Sequence, residues 1–304
     1  MNITCAKTDA MLASPDHTIS LIAPAKINLA LHVTGRREDG YHLLDSLVVF
    51  ARFGDRLSVR KAAADSFTLS GPYGTGLPVD DTNLVVRARD ALRRQYGEQA
   101  TPVAIHLEKH LPVASGIGGG SSDAAAALRA LTALWGIDVS PVKLAALGLP
   151  LGADVPMCLH GETLIARGIG EDIERIAAFP RLPLVLVNNG VTVSTPQVFS
   201  VLARRDNPPL PRLPSLTCLD DICTYLGQTE NHLFAATETL APSINDSMQA
   251  LRDTNPLMAR MSGSGGTCFA IYPDDETAET AATRLRQSQP SWFVVATSTT
   301  VEGN

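Results

Sequence analysis

The sequence predicts an α+β fold of two domains, with a β-rich N-terminal domain and a C-terminal split-βαβ, ferredoxin-like sandwich. Strand-like alternation dominates the chain up to a glycine-rich loop at 112–120, and the stretch 257–297 has the pattern strand, glycine turn, strand, helix and strand. At 304 residues the chain also exceeds the size at which one hydrophobic core usually stops growing. We therefore expect two domains with a cleft between them.

The first strand of the N-terminal domain shows the clearest alternation. From Lys26 to Val33 every second residue is apolar, which places Lys26 and Asn28 together on the opposite face. A turn is predicted over 35–40. Further strands are predicted over residues 43–53, 56–60, 66–70 and 103–108.

Helices alternate with these strands. One is predicted over 84–96, capped by Asp81 or Thr82 and closed by Gly97. The glycine-rich loop leads directly into an alanine-rich helix that ends at Gly136. The domain is completed by two elements, a short helix after residue 140 and a strand over 163–166.

A domain boundary is predicted near Pro180, which gives a leader over 1–18, an N-terminal domain over 19–180 and a C-terminal domain over 181–304. The leader lacks the basic start, apolar stretch and cleavage site of a secretory signal. The C-terminal domain is predicted to contain strands over 184–187, 257–261, 268–272 and 292–297, and helices over 195–204, 231–251 and 276–286. The proline-rich residues 207–217 are expected to be locally disordered.

Composition argues against several classes of protein. Hydrophobic residues make up 45% and charged residues 18% of the chain, with no apolar run long enough to cross a bilayer, so we expect a soluble globular protein and no membrane partner. A net charge of −6 argues against a nucleic-acid partner, which needs a clustered basic surface. The five cysteines are sparse and cannot complete a zinc site, which favours a reducing cytoplasm.

The strongest chemical signal is the segment Pro112-Val113-Ala114-Ser115-Gly116-Ile117-Gly118-Gly119-Gly120-Ser121-Ser122-Asp123. Its glycines let the backbone approach a ligand, and the following helix N-terminus attracts phosphate. The hydroxyls of Ser121 and Ser122 can hold a phosphate oxygen or a metal ion. The alternative is a surface loop whose Ser121, Ser122 and Asp123 merely cap the helix. No Walker A or protein-kinase motif occurs, so an ATP site here would be of another kind.

Two weaker signals accompany this loop. The turn Gly263-Ser264-Gly265-Gly266-Thr267 has more glycines than a hairpin needs, which predicts a close backbone approach to another group, with a loose hairpin loop as the alternative. Lys26 and Asp154 stand alone in a strand and a Gly-Ala-Asp-Val-Pro turn. Taken by themselves, an exposed lysine and a capping aspartate are the simpler interpretation.

Three segments together resemble the galactokinase, homoserine kinase, mevalonate kinase and phosphomevalonate kinase superfamily. They are Pro24-Ala25-Lys26-Ile27-Asn28-Leu29, the 112–123 loop and the 263–267 turn, in the order typical of that superfamily. Residues 35–42, 152–156 and 194–199 resemble the branch that phosphorylates a cytidine-diphosphate-linked methylerythritol. The resemblance covers nearly the whole chain after residue 18.

The resemblance implies a kinase that uses ATP and Mg²⁺ to phosphorylate the 2-hydroxyl of this acceptor, in the non-mevalonate route to isoprenoid precursors. Asp154 is expected to take the hydroxyl proton while Lys26 orients the oxygen, since loose phosphoryl-transfer transition states need alignment more than a strong base. ATP is expected on residues 112–122, with Asn83 and Lys109 bordering its adenine and phosphate ends.

The acceptor is expected to contact a second group of residues, namely Asn28, Tyr41, His42, Phe199, Gly265 and Thr267. The rings of Tyr41, His42 and Phe199 would line a cytosine pocket, because a flat base can be sandwiched between rings. Without the resemblance, His42 and Phe199 fit an ordinary strand residue and a core residue equally well.

Two other classes stay open at this point. One is a different kinase of the superfamily, acting on mevalonate, homoserine or a sugar, although such a kinase has no evident need for the Asp39-Gly40-Tyr41-His42 signature. The other is a nucleotide-binding regulator without catalysis, which the loss of Lys26 or Asp154 would have indicated. The expected partner is a small molecule, and the expected assembly is a monomer or a weak homodimer.

Overall fold

The computed structural model describes residues 18–300 of the chain. Apart from Thr18, the predicted leader lies outside the described residues. The first sheet contains β1 (Ile19–Arg36), β2 (His42–Lys61), β3 (Ser66–Ser70), β4 (Val103–Glu108), β5 (Leu164–Gly168) and β6 (Asp172–Arg175). Its strand order is β3-β4-β2-β5-β6, with β1 paired along β2.

The second sheet contains β7 (Pro183–Asn188), β8 (Met258–Met261), β9 (Thr267–Ile271) and β10 (Phe293–Ser298). All its pairs are antiparallel and its order is β10-β7-β9-β8. Helices separate β7 from β8 and β9 from β10, which is the split-βαβ arrangement. The predicted α+β fold class, with its C-terminal ferredoxin-like sandwich, is therefore confirmed.

Nine α-helices are found within residues 18–300. They are α1 (Leu84–Tyr96), α2 (Gly119–Trp135), α3 (Pro141–Gly148), α4 (Val155–His160), α5 (Thr195–Ser200), α6 (Leu219–Leu226), α7 (Phe234–Leu240), α8 (Ile244–Arg252) and α9 (Asp275–Ser288). Helix α2 packs against β1 and β2, and its alanines let it lie close to the sheet.

The alternation of β2 shows how the layers stack. Val48 and Phe50 belong to a core under α1, α2 and α4, whereas Leu47 and Val49 point the other way into a core shared with the second sheet. Strand β7 alternates in the same manner between this shared core and a third core under the C-terminal helices. The molecule is thus four layers deep, with two sheets packed face to face between helices.

Several predicted bounds are wrong for local reasons. Residues 43–53 and 56–60 form one strand, β2, because Gly54 does not break it; a Cβ atom there would overlap the carbonyl of Ala23, so this glycine allows β1 and β2 to approach. Residues 231–251 form two helices, α7 and α8, separated at Ala241-Pro242, since proline disfavours the helical conformation of the residue before it.

Other differences concern short elements. Helix α5 ends at Ser200 rather than 204, and β6, α4 and α6 had no prediction. Residues 207–217 have no regular secondary structure, but they are anchored rather than disordered, because the Leu210 amide donates to Asp45 and the Tyr225 hydroxyl donates to the Pro211 carbonyl. The connection 176–182 between the two sheets contains Pro180, and the boundary there stays a prediction because the sheets share a core.

Candidate active site

Helix α2 begins without a cap at the end of the glycine-rich loop. Gly118 adopts the left-handed conformation, with φ 65°, directly before the helix, and no side chain within residues 18–300 caps the free amides of its first turn. The alternative in which Ser121, Ser122 and Asp123 cap this helix is therefore wrong. The free amides and the positive end of the dipole of a 17-residue helix together favour an anion at this point.

The loop is tied to strand β1 beside Lys26. The Lys26 amide donates to the Ile117 carbonyl at 2.9 Å, and a Cβ atom on Gly118 would lie 3.2 Å from the Lys26 Cβ. Ala114 in the same loop has a positive φ of 50°, which a residue with a side chain rarely adopts. The loop therefore follows a constrained path that places the start of α2 against the Lys26 side chain.

Lys26 and Asp154 form an ion pair at this position. Lys26 Nζ lies 2.7 Å from Asp154 Oδ2, with the lysine side chain 7% exposed and the aspartate 36% exposed. Asp154 directly precedes α4 but makes no capping hydrogen bond. The simpler interpretations, an exposed lysine and a capping aspartate, are both wrong. The Ser121 hydroxyl lies close to the turn that carries Asp154, 3.6 Å from where a Cβ atom on Gly152 would be.

The 263–267 turn does make a close backbone approach, and its partner is the first glycine loop. A Cβ atom on Gly116 would lie 2.5 Å from the Gly265 carbonyl oxygen, and one on Gly263 would lie 2.7 Å from the Gly116 carbonyl oxygen. The Ser262 hydroxyl donates to the Gly116 carbonyl and accepts from the backbone N–H of Asn28, each at 3.1 Å. The three predicted motifs thus meet at one place, where loops of both sheets interlock.

Two predicted substrate-contact residues of this turn, Thr267 and Gly265, have partners within the protein, and their contact with the acceptor stays a prediction. Thr267 is completely buried, its amide donates to the Ser115 carbonyl and its hydroxyl accepts from Asn188. A Cβ atom on Gly265 would meet Thr237 rather than open space. Thr267 and Gly265 hold the two loops together, and the glycines of this turn serve the protein's own backbone.

Asn28 occupies the inner edge of the same junction. It is 3% exposed, its Nδ2 donates to the Ser46 hydroxyl at 2.8 Å, and its Oδ1 has no hydrogen-bond partner. Its predicted contact with the acceptor is untested by this geometry and stays a prediction.

Lys109 lies beneath the start of α2 in a buried cluster that the sequence did not reveal. Its ammonium contacts Asp55 and lies 2.7 Å from Asp123, while Asp55 also accepts from the Leu111 amide. A Cβ atom on Gly119 would lie 3.4 Å from Lys109 Nζ, so the inner side of Gly119 faces this cluster. Burial lowers the pKa of Lys109, but Asp123 and Asp55 outweigh it, and the net direction is upward. The ammonium is therefore charged and already engaged by carboxylates, which argues against its predicted contact with ATP.

Asn83, the other predicted neighbour of ATP, is the cap of α1. Its Oδ1 accepts from the Val85 amide and its Nδ2 donates to the Pro78 carbonyl, each at 2.9 Å. The prediction of Asp81 or Thr82 as this cap is wrong. Asparagine, aspartate and threonine are all favoured at the start of a helix, so the predicted cap differs from the observed one only in its position.

Two of the three predicted pocket rings are in contact. His42 and Phe199 stack with ring centroids 4.6 Å apart and planes inclined by 18°, while Tyr41 is 57% exposed on the β1–β2 turn. No base can lie between His42 and Phe199 in this arrangement. Burial first, then Arg205 and Arg36, lower the pKa of His42, which favours the neutral ring.

Two kinds of feature are absent from the part of the chain that the structure describes. Residues 18–300 contain no group of three or more histidine, cysteine, aspartate and glutamate side chains placed to hold a metal ion. Among the same residues, no helix has the length and apolar character needed to cross a membrane.

Family models match both halves of the chain. The GHMP kinases N terminal domain matches residues 83–162 and the GHMP kinases C terminal domain matches residues 213–291. A solved homoserine kinase from Cytophaga hutchinsonii, with a TM-score of 0.70 and 19% identity over 96% of this chain and 98% of that one, shares the fold.

Closer relatives carry a single name. The 4-diphosphocytidyl-2-C-methyl-D-erythritol kinase of Brucella abortus biovar 1 is 55% identical over 91% of this chain and 94% of its own, and that of Mesorhizobium japonicum is 53% identical over 90% and 94%. A crystal structure of 4-(cytidine 5'-diphospho)-2C-methyl-D-erythritol kinase matches with a TM-score of 0.77 and 35% identity, over 93% of this chain and all of that one. The resemblance seen in the motifs is thereby confirmed, and the chain belongs to the 4-diphosphocytidyl-2-C-methyl-D-erythritol kinase family of the GHMP kinases.

Proposed function

We propose that the protein transfers the γ-phosphoryl group of ATP to the 2-hydroxyl of 4-diphosphocytidyl-2-C-methyl-D-erythritol, in the non-mevalonate route to isoprenoid precursors. The observation that carries the proposal is the Lys26–Asp154 pair, 2.7 Å apart, beside the uncapped start of α2. The names of relatives at 50–55% identity support the acceptor. The intact pair argues against a regulator without catalysis.

In the proposed reaction, Asp154 accepts the proton of the 2-hydroxyl as its oxygen bonds to the γ-phosphorus. The bond between that phosphorus and the β,γ-bridging oxygen breaks, and ADP leaves. Lys26 holds the Asp154 carboxylate in place and orients the attacking oxygen. The partial exposure of Asp154, at 36%, lets a substrate hydroxyl reach it, whereas the buried Lys26 ammonium is fixed.

The amides of Gly119, Gly120 and Ser121 are proposed to bind the ATP phosphates, and Mg²⁺ is proposed to arrive with the nucleotide. Mg²⁺ usually keeps several waters and binds substrate phosphates with one or two protein oxygens, so it needs no ready-made cluster of acids. The Ser122 hydroxyl is buried without a hydrogen-bond partner, and Ser121 lies on the Asp154 side, so either fits as a protein ligand. Bound Mg²⁺ would neutralise charge on the phosphates.

The cytosine of the acceptor is proposed to stack between the exposed Tyr41 ring and the His42–Phe199 pair, rather than between His42 and Phe199. We further propose a cytoplasmic monomer or weak homodimer; the thiols of Cys158, Cys218, Cys223 and Cys268 are all free, which fits a reducing compartment.

The test compares ADP release with four acceptors: the cytidine-linked compound, 2-C-methyl-D-erythritol 4-phosphate, mevalonate and homoserine. Only the first should be phosphorylated efficiently. Asp154→Asn should lower kcat by roughly a hundredfold to ten-thousandfold with little change in substrate binding, as expected for loss of a general base. The matched control is Asp138→Asn, at an exposed loop aspartate. Near-normal kcat for Asp154→Asn would overturn the mechanism, and efficient use of the compound without cytidine would overturn the acceptor.

A further inference from the structure

Two arginines lie near His42. Arg36 lies opposite His42 in the β1–β2 pairing, and Arg205 approaches from the segment after α5. That segment is docked on β1, because Asn207 Nδ2 donates to the Val33 carbonyl at 2.9 Å. Burial first, and then both arginines, lower the pKa of His42.

Neither arginine has an acidic partner among residues 18–300, although the chain as a whole carries a net charge of −6. Their sequence neighbours behave differently, since Arg37 pairs with Asp39 and Arg204 pairs with Asp206. The positive charge beside His42 is therefore uncompensated within the described chain.

Arg205 is also incompletely hydrogen-bonded. Its Nε is buried without a partner among the described residues, and one of its terminal nitrogens makes a long bond of 3.4 Å to the Ser200 carbonyl. His42 Nε2 is buried without a partner too. Because buried polar atoms are nearly always paired in folded proteins, two such atoms on adjacent side chains indicate a place that a ligand completes.

We infer that Arg205 binds the diphosphate of the acceptor and thereby selects a nucleoside diphosphate over the bare nucleoside. The inference rests on the proposed function, which places the base at Tyr41, His42 and Phe199. The diphosphate is joined to that base through one ribose, so it lies near the base stack. A guanidinium presents a planar set of donors that matches phosphate oxygens, and its hydrogen bonds to an anion are stronger than neutral ones.

The experiment measures the binding of CDP and of cytidine by calorimetry to the full-length protein and two variants. Arg205→Met should weaken CDP binding by roughly tenfold to a hundredfold, the range for hydrogen bonds to charged groups. Cytidine binding should change by less than about twofold, because cytidine has no phosphate. Arg205→Lys should be intermediate, since it keeps the charge and loses the planar donors.

The matched control is Arg204→Met, which removes an exposed guanidinium one residue away and should leave both ligands unaffected. Equal weakening of CDP and cytidine by Arg205→Met would show that Arg205 reads or supports the base, and would overturn the inference. So would unchanged CDP binding, or a wild-type protein that binds neither ligand. A wild-type protein that binds CDP through Arg205 but releases no ADP with the acceptor would instead refute the proposed function alone.

Discussion

Replacing Lys109 with methionine tests whether the buried cluster supports the glycine loop. The substitution leaves Asp55, which is 0% exposed, and Asp123, which is 4% exposed, without the cation that contacts both. Breaking a buried ion pair from one side costs about 3–5 kcal/mol, because the remaining charge is buried and uncompensated. Since folded domains are stable by about 5–15 kcal/mol, Lys109→Met should fold but lose a large part of its stability.

The same substitution should also weaken the binding of ATP. A Cβ atom on Gly119 would lie 3.4 Å from Lys109 Nζ, so the start of α2 packs against the ammonium. Loss of the ammonium should therefore displace the first backbone amides of α2. We expect the KM for ATP to rise, while the KM for the acceptor changes little, because Tyr41, His42 and Phe199 lie on other elements. The combined variant Asp55→Asn, Lys109→Met, Asp123→Asn removes the uncompensated charge and should recover much of the lost stability.

Urea unfolding followed by circular dichroism gives the free energy of unfolding, and ADP release gives both KM values. Lys143→Met, at an exposed lysine that contacts the Tyr96 ring, is the matched control. A Lys109→Met protein as stable as wild type, with only its KM for ATP raised, would show that the ammonium leaves the carboxylates to bind nucleotide. That result would restore the role predicted from the sequence and refute the reasoning from the cluster.

Two further predictions concern the glycine loop and the pH dependence of stability. Gly116→Ala should destabilise the protein and impair the binding of both substrates, because its Cβ would lie 2.5 Å from the Gly265 carbonyl oxygen. Gly120→Ala, whose Cβ would lie 3.4 Å from Leu84, should unfold near the wild-type temperature. Equal melting temperatures for the two variants would contradict this prediction. Burial lowers the pKa of His232 to about 4 in the folded protein, so the unfolded chain binds a proton first as the pH falls. The free energy of unfolding should therefore fall by about 1–2 kcal/mol between pH 6.5 and pH 4, a range reduced for the partial exposure of the ring. Urea titrations should show a shallower loss in His232→Asn, and identical slopes would count against His232 as the cause.

The sequence predicted the parts of the site that are written locally. The alternation of β1 and the passage of the glycine loop into α2 are properties of short segments, and they follow from periodicity and conformational preference. The sequence also carried the signal for the break at Pro242, which the predicted helix ignored. The same local reasoning could not choose between Asp81, Thr82 and Asn83 as a cap, since all three residue types are favoured there.

What the sequence could not give are relations between distant segments. Asp55, Lys109 and Asp123 come from β2, the end of β4 and the second turn of α2, and nothing near any of them marks a buried charge cluster. The same holds for the stacking of His42 on Phe199, which the motif resemblance placed in one pocket but could not place in contact. Pairing of buried charges and rings depends on the tertiary fold, which local preferences do not specify.

The second glycine turn shows why a glycine-rich sequence does not by itself identify a ligand site. A run of glycines reports only that something must come close, and a loop of the same protein satisfies that requirement as well as a phosphate does. Here Gly116 and Gly263 leave no space for a side chain on either loop, and the Ser262 hydroxyl joins Gly116 to the Asn28 amide. Strand β1 carries both Asn28 and Lys26, so the contact that fixes the loop from the C-terminal half also sets the position of the ammonium facing Asp154. The second glycine turn therefore holds the Lys26 strand and the glycine-rich loop together, and its predicted contact with the acceptor stays a prediction.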